Sequence, residues 1–217
     1  MESRGKVYDR QKEFFAEAYR TGHIGWPRTD PSRLVAMLMA AGPRSPGGLV
    51  LEIGSGEGRN LLPFLAEGKR VVALDLIHGP LVSARNRLGR TKTGAASFVQ
   101  ADLFALPFAE GLFDVVFDFG VFHHLRRRER GLYPRWVARV LKPGGLAGLG
   151  VFSEFFRHSP EEVRSRDFVS HRGHHDVFFR EGDLPSLMGK GFRLESRNAE
   201  ETGDGLSHYR LAVYRKC

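Results

Sequence analysis

The stretch Leu49-Val50-Leu51-Glu52-Ile53-Gly54-Ser55-Gly56-Glu57-Gly58 joins a short apolar run to a glycine-rich loop, and a helical pattern over residues 59–67 follows. A run that is apolar almost throughout, rather than alternating, suits a strand covered on both faces. The same unit returns in Arg70-Val71-Val72-Ala73-Leu74-Asp75, followed by a helical pattern through Val82, Ala84 and Leu88. Ala96-Ser97-Phe98-Val99-Gln100 and Phe113-Asp114-Val115-Val116-Phe117 are two more runs, and residues 146–152 make a fifth after the turn Lys142-Pro143-Gly144-Gly145. Strands alternating with helices over short connections predict an α/β, doubly wound fold with a mainly parallel sheet. The tail differs. Residues 192–198 and 206–215 are separated only by a turn, Thr202-Gly203-Asp204-Gly205, and are expected to pair antiparallel at the sheet edge.

Upstream of this core, Val7, Phe14, Phe15, Ala18 and Tyr19 recur at helical spacing. Gly22, Gly25 and Pro27 then force a loop carrying Trp26. Asp30-Pro31 predicts an N-cap with proline in the first turn of a second helix ending near Ala41. With 217 residues the chain is expected to form one elaborated domain with an N-terminal helical extension.

Composition narrows the function classes. The chain is 41% hydrophobic and 27% charged, enough for a sizeable core, and no window reaches the roughly 18 apolar residues of a membrane span. The N-terminus lacks the apolar region of a secretory signal, and the single cysteine, Cys217, excludes a disulfide framework and cysteine-rich zinc sites, so a cytoplasmic location is expected. The net charge of +8 comes from 33 Lys+Arg against 25 Asp+Glu. Its densest cluster is Arg126, Arg127, Arg128 and Arg130, interrupted by Glu129. Such a run reads as a solvated helix face or as a nucleic-acid contact, and charge alone does not choose between them.

The glycine loop is more selective. A nicotinamide site needs a small third residue in G-x-G-x-x-G, where this chain has Arg59, and a P-loop would close on Gly-Lys-Ser/Thr. Glu52 directly before the loop would repel a pyrophosphate and favour a cation. Asp75, 19 residues beyond Gly56, stands where an acidic residue grips a ribose diol. Asp102 after the third strand could accept from an adenine amino group. Each of these two has a plainer reading as a helix or turn cap. Together they suit an adenosine with a positive charge and no phosphates, namely S-adenosylmethionine.

In order, Leu51-Glu52-Ile53-Gly54-Ser55-Gly56-Glu57-Gly58, Leu74-Asp75, Gln100-Ala101-Asp102, Phe113-Asp114-Val115-Val116 and Leu141-Lys142-Pro143-Gly144-Gly145 resemble the motifs of class I S-adenosylmethionine-dependent methyltransferases. The resemblance spans residues 49–152. It implies a Rossmann-like, seven-stranded sheet with its last strand antiparallel. It also implies Glu52, Gly54, Gly56 and Asn60 around the methionine moiety, Asp75 on the ribose hydroxyls and Asp102 with Leu103 at the adenine. Trp26, Ser55, Gly58, Leu76, Ala101 and Asp118 are the further expected cofactor contacts. A narrower resemblance, carried by residues 14–26 and by Phe117-Asp118-Phe119-Gly120-Val121-Phe122-His123-His124-Leu125, is to the thiopurine, tellurite and halide methyltransferase group; it implies that Trp26 closes the cofactor site. The single domain then divides into a helical lid over 1–45, a cofactor-binding core over 49–152, a substrate-side insertion over 153–190 and terminal strands over 191–217.

Methyl transfer from a sulfonium is an in-line displacement, so the protein mainly positions the reactants and excludes water. Asp118 and His123, just after the fourth strand, are the candidate catalytic groups; Phe119 and Tyr19 are candidate substrate contacts. The pair His123-His124 has a plain alternative as the start of the next helix. The Asn/Asp-Pro-Pro-Tyr/Phe run that the family uses on base amino groups is replaced by Asp118-Phe119-Gly120-Val121, and cytosine C5 chemistry would need a cysteine nucleophile. His171, His174, His175 and Asp176, with Phe178 and Phe179, are weighed as metal ligands, as a substrate roof or as plain surface. Without a spaced motif such as HExxH the roof reading is preferred, with His171 and His174 as substrate contacts and no metal. The expected function is methyl transfer to a small molecule, a thiol or other soft nucleophile being slightly preferred. An RNA methyltransferase using the arginine-rich surface and a silent cofactor-binding regulatory subunit are the alternatives.

Overall fold

The computed structural model describes residues 4–22, 30–42, 47–89, 95–105, 108–164, 168–171 and 174–217; side chains are described within these from residue 9 onward, apart from 170, 171 and 174. The core is a seven-stranded sheet. Its strands in chain order are β1 (Leu49–Ile53), β2 (Arg70–Asp75), β3 (Ala96–Gln100), β4 (Phe113–Phe119), β5 (Leu141–Phe152), β8 (Phe192–Glu201) and β9 (His208–Lys216). Their spatial order is β3-β2-β1-β4-β5-β9-β8. β1 pairs parallel with both β2 and β4, β2 with β3, and β4 with β5. β9 runs antiparallel to both of its neighbours, β5 and β8. The fold is thus the mainly parallel, Rossmann-like sheet expected, with its last strand reversed. The expected tail pair exists, but β9 lies between β5 and β8, and only β8 forms the edge.

Successive strand residues face opposite ways and feed two cores. On one face Val50, Val71, Val115 and Phe117 pack with Leu34 and Leu38 of α2 (Arg33–Ala41), Phe64 of α3 (Leu62–Ala66), and Leu81 and Leu88 of α4 (His78–Leu88). On the other, Leu51, Ile53, Leu74, Val116 and Leu149 pack with Tyr133, Val137 and Val140 of α5 (Arg127–Val140) and Leu184 of α6 (Leu184–Leu187). Helices on both faces explain why these strands are apolar throughout.

Two local expectations are corrected. The helical pattern over 59–67 is split into a 3-10 turn at Arg59–Leu61 and α3, with Pro63 in the first turn of the latter, where its missing N–H costs nothing. The second helix begins after Ser32, two residues beyond the expected Asp30 cap. Its first amides are satisfied from a distance: Ser32 N–H donates to Asn60 Oδ1 at 2.9 Å and Arg33 N–H to Glu200 Oε2 at 2.7 Å. Ahead of it α1 (Arg4–Thr21) lies over the carboxyl ends of the strands. After β5 the chain leaves the sheet and returns through a two-stranded hairpin, β6 (Phe168–His171) with β7 (His174–Val177). Ser153 bridges Phe179, which closes this excursion on itself.

Candidate active site

The strand order reverses between β1 and β4, and open α/β sheets bind ligands outside the carboxyl ends of the strands at such a point. A cleft of about 560 Å³ lies there. Its floor is the loop after β1. Gly54 has φ +65° and a Cβ on it would stand 2.1 Å from Val121 Cγ2; Gly56 has φ +51° and its Cβ would stand 2.9 Å from Tyr19 Oη. Only glycine lets the loop turn this way while Val121 and the α1 tyrosine come down on it.

Asp75, at the end of β2, is buried and ties this loop to the next. Its Oδ2 accepts from Gly56 N–H and its Oδ1 from Ile77 N–H, both at 2.9 Å. Burial pushes its carboxyl above the usual range, and these amides pull it back. Asp75 thus closes the turn into α4 without capping the helix, whose cap position is Ile77, and the residue still lines the cleft. Asp102 behaves alike: its Oδ1 accepts from Phe104 N–H at 2.9 Å, capping the turn Leu103–Ala105, while the residue lines the cleft beside Ala101 and Leu103.

Glu52 is 1% exposed. Its Oε1 accepts from Asn60 Nδ2 at 2.7 Å, while its buried Oε2 has no hydrogen-bond partner among the described residues. Burial raises its carboxyl to about 8, against the opposing pull of Asn60 and Arg59. A buried carboxylate oxygen left unpaired is costly, and a cationic group within reach would satisfy it. Glu52 therefore fits the ammonium of S-adenosylmethionine, and Asp75 the paired hydroxyls of its ribose. Gly54, Ser55, Gly56, Asn60 and Leu76 also line the cleft.

Two expected contacts are corrected. Gly58 faces away from the cleft; a Cβ there would lie 3.1 Å from Leu88 Cδ1, so its smallness packs the loop against α4. Asp118 is fully buried beneath the floor and does not line the cleft. Its Oδ1 accepts from Val121 N–H at 3.1 Å and Phe122 N–H at 3.3 Å, and its Oδ2 from Tyr133 Oη at 2.6 Å. Burial lifts it to about 6. Its hydrogen bonds hold the loop after β4 from beneath the cleft. Trp26 lies outside the described residues. His171 and His174 sit at paired positions closing the β6–β7 hairpin, and their side chains lie outside the described residues.

Tyr19 and Phe119 line the cleft as expected, and so does His123. His123 Nδ1 accepts from Phe152 N–H at 3.2 Å, and its ring stacks on Phe152 at 3.6 Å. Sequence reasoning missed Phe15, Phe152 and Tyr209 on the walls, and missed a chain of polar contacts. His123 Nε2 lies 3.1 Å from His124 Nε2, and His124 Nδ1 lies 2.7 Å from Asp176 Oδ1. Asp176 Oδ2 lies 2.7 Å from His158 Nε2, and His158 Nδ1 lies 2.9 Å from Glu162 Oε2. The only sequence signal was Asp176 beside a histidine cluster; its actual partners are other histidines, far away along the chain. Among the described residues no cluster of three metal-ligating side chains is present.

Known proteins resemble this chain in sequence and in fold. A methyltransferase-domain family model matches residues 51–149. An uncharacterized methyltransferase of Geobacillus kaustophilus is 27% identical over 168 residues, 74% of this chain and 71% of its own length. Demethylmenaquinone methyltransferase of Renibacterium salmoninarum is 34% identical over 109 residues, and a probable tRNA methyltransferase of Mus musculus 36% over 105; this chain spans 43% of the former and 21% of the latter. In fold, the 1,6-didemethyltoxoflavin-N1-methyltransferase of Burkholderia thailandensis matches all of this chain and 91% of its own, with a TM-score of 0.82 and 24% identity. The narrower likeness to the thiopurine, tellurite and halide group gains no support from these relatives. With the glycine loop, Glu52 and Asp75 converging on one cleft, residues 51–149 match a methyltransferase domain, set in a fold shared with solved S-adenosylmethionine-dependent methyltransferases.

Proposed function

We propose that this methyltransferase acts on a small, flat acceptor held between aromatic walls. The supporting observation is the roof: Asp9, Lys12, Phe15 and Tyr19 of α1 line the cleft from above, opposite Phe119, Phe152 and Tyr209. Phe119 and Tyr209 pack on each other with centroids 4.7 Å apart, and with Phe152 they make one wall of the cleft aromatic. A cleft with such a cover suits a metabolite-sized molecule better than a polymer. Bound there, the donor supplies an electrophilic methyl group. The protein's own part is to hold Glu52 and Asp75 in place, seat the acceptor and keep water out.

RNA is the second reading, favoured by the likeness to a probable tRNA methyltransferase. Against it, the arginine run is partly structural: Arg130 is tied to the Leu125 carbonyl, and Glu129 within the run is buried. Calorimetry with S-adenosylmethionine and a labelled-methyl assay across phenols, anilines, thiols and halides test the proposal. Transfer to a panel member with no RNA retained at low salt is the expected result. RNA retention that falls steeply with salt, with RNA as the methylated product, would overturn it.

A further inference from the structure

We propose that Arg59 binds the carboxylate at the methionine end of the methyl donor, so that Glu52 and Arg59 clamp one zwitterion by its two charged groups. The proposal rests on the cleft being the S-adenosylmethionine site. It gives a role to the residue whose bulk excludes a nicotinamide fingerprint, and it makes that residue a determinant of donor specificity.

An α-amino acid carries its ammonium and its carboxylate on one carbon, so the group that holds the first sets where the second must lie. Glu52 Oε2, buried and without a hydrogen-bond partner among the described residues, is the place for the ammonium. The carboxylate then needs a cation beside Glu52. Among the described residues, Lys12, Arg59 and Arg87 are the lysines and arginines that line the cleft. Arg87 lies 3.4 Å from Glu57, and Lys12 belongs to the α1 cover. Arg59 is built next to Glu52: its neighbour Asn60 donates to Glu52 Oε1 at 2.7 Å, and its own charge pulls the Glu52 carboxyl down against burial.

The local fold explains how an arginine comes to stand there. In a dinucleotide loop the third glycine of G-x-G-x-x-G brings the helix close to the strand. Here Gly58 does that, with φ +75° and a Cβ that would lie 3.1 Å from Leu88 Cδ1 and 3.2 Å from Ala84 Cβ. The next position is thereby open to a long side chain, and Arg59 begins the 3-10 turn Arg59–Leu61. Its guanidinium lies over the Phe119 ring, 5.1 Å from the centroid, and donates to the Asp30 carbonyl. A planar fork stacked on an aromatic face is suited to a bidentate carboxylate, which a lysine could meet only as a point charge. The segment just ahead of α2 supports both arms of the clamp. Asp30 holds Arg59, and Ser32 N–H donates to Asn60 Oδ1 at 2.9 Å.

The test is calorimetry at pH 8 on the full chain as wild type, Arg59→Gln, Arg59→Lys and Glu52→Gln. Two ligands are compared: S-adenosylmethionine and its decarboxylated analogue, which keeps the sulfonium and the ammonium and lacks only the carboxylate. The wild type should bind the donor about 10–100-fold more tightly than the analogue. In Arg59→Gln that preference should shrink to within about threefold, through weaker donor binding with the analogue little changed. Arg59→Lys keeps the charge without the fork and should fall between the two; it carries the test where Arg59→Gln does not fold. Glu52→Gln should weaken both ligands and keep the preference. An equal loss of both ligands in Arg59→Gln would reduce Arg59 to a support for Asp30 and overturn the clamp. So would unchanged donor affinity with a raised KM for the acceptor at saturating donor. A wild type that binds neither ligand would instead overturn the reading of the cleft, an outcome distinct from a lost preference.

Discussion

Glu52→Gln separates what Glu52 does for the ligand from what it costs the fold. The carboxyl is raised to about 8 in the folded protein from an ordinary value of 4.5. A raised value means that its contribution is fully present below pH 4.5 and is lost as the pH climbs toward 8, because the unfolded chain ionises first. At pH 7 the difference between 7 and 4.5, at about 1.4 kcal/mol per unit, amounts to about 3 kcal/mol. Glutamine stays neutral, keeps an oxygen for Asn60 and escapes that loss. Without the methyl donor, the variant should therefore melt about 6–12 °C above the wild type at pH 7, the gap closing toward pH 4.5. Donor affinity at pH 8 should move the other way, falling about 10–100-fold as a charge-assisted contact disappears. In the wild type, binding near neutral pH should release close to one proton, read by calorimetry in buffers of different ionisation enthalpy. Melting curves that coincide at every pH, or a gap that does not change with pH, would refute the account of Glu52.

Asp75→Ala should weaken donor binding by at least about tenfold and also loosen the loop, since Gly56 and Ile77 both lose an acceptor; unchanged affinity in calorimetry would remove Asp75 from the site. Gly54→Ala combines a positive φ with a Cβ 2.1 Å from Val121, so stability in urea should fall by roughly 2–5 kcal/mol. Tyr133→Phe leaves Asp118 Oδ2 buried without its donor. It should cost about 1–3 kcal/mol in urea, more at pH 8 than at pH 5, because the tyrosine favours the ionised form of a carboxyl that titrates near 6.

How far the sequence could be read follows from how local each feature is. The glycine loop, Asp75 and Asp102 follow their strands directly, so strand order alone brings them together. The error at Asp118 lay in the two-residue period of β4. Phe117 belongs to the core under α2, α3 and α4, so Asp118 must face Tyr133 on the other side of the sheet, and Phe119 comes back to the cleft wall. That period was legible, and applying it would have moved the assignment. The histidine chain was not. Asp176 meets His124 across 52 residues and His158 across 18, and no local pattern marks such a pairing. The placing of β9 inside the edge was hidden for the same reason, since two strands joined by a turn look identical whichever of them is outermost.

The excursion after β5 has a consequence for how this enzyme can change. Phe179 N–H donates to the Phe152 carbonyl at 2.9 Å and Glu154 N–H to the Phe179 carbonyl at 3.1 Å, so the segment leaves and re-enters the sheet at one point. It supplies Asp176, His158 and Glu162, while Glu52, Asp75 and Asp102 of the cleft all lie in the first three strand–loop units. It is therefore a cassette. A descendant could exchange it for one of different length and chemistry without disturbing a strand register, and so acquire a new acceptor while leaving its methyl donor untouched.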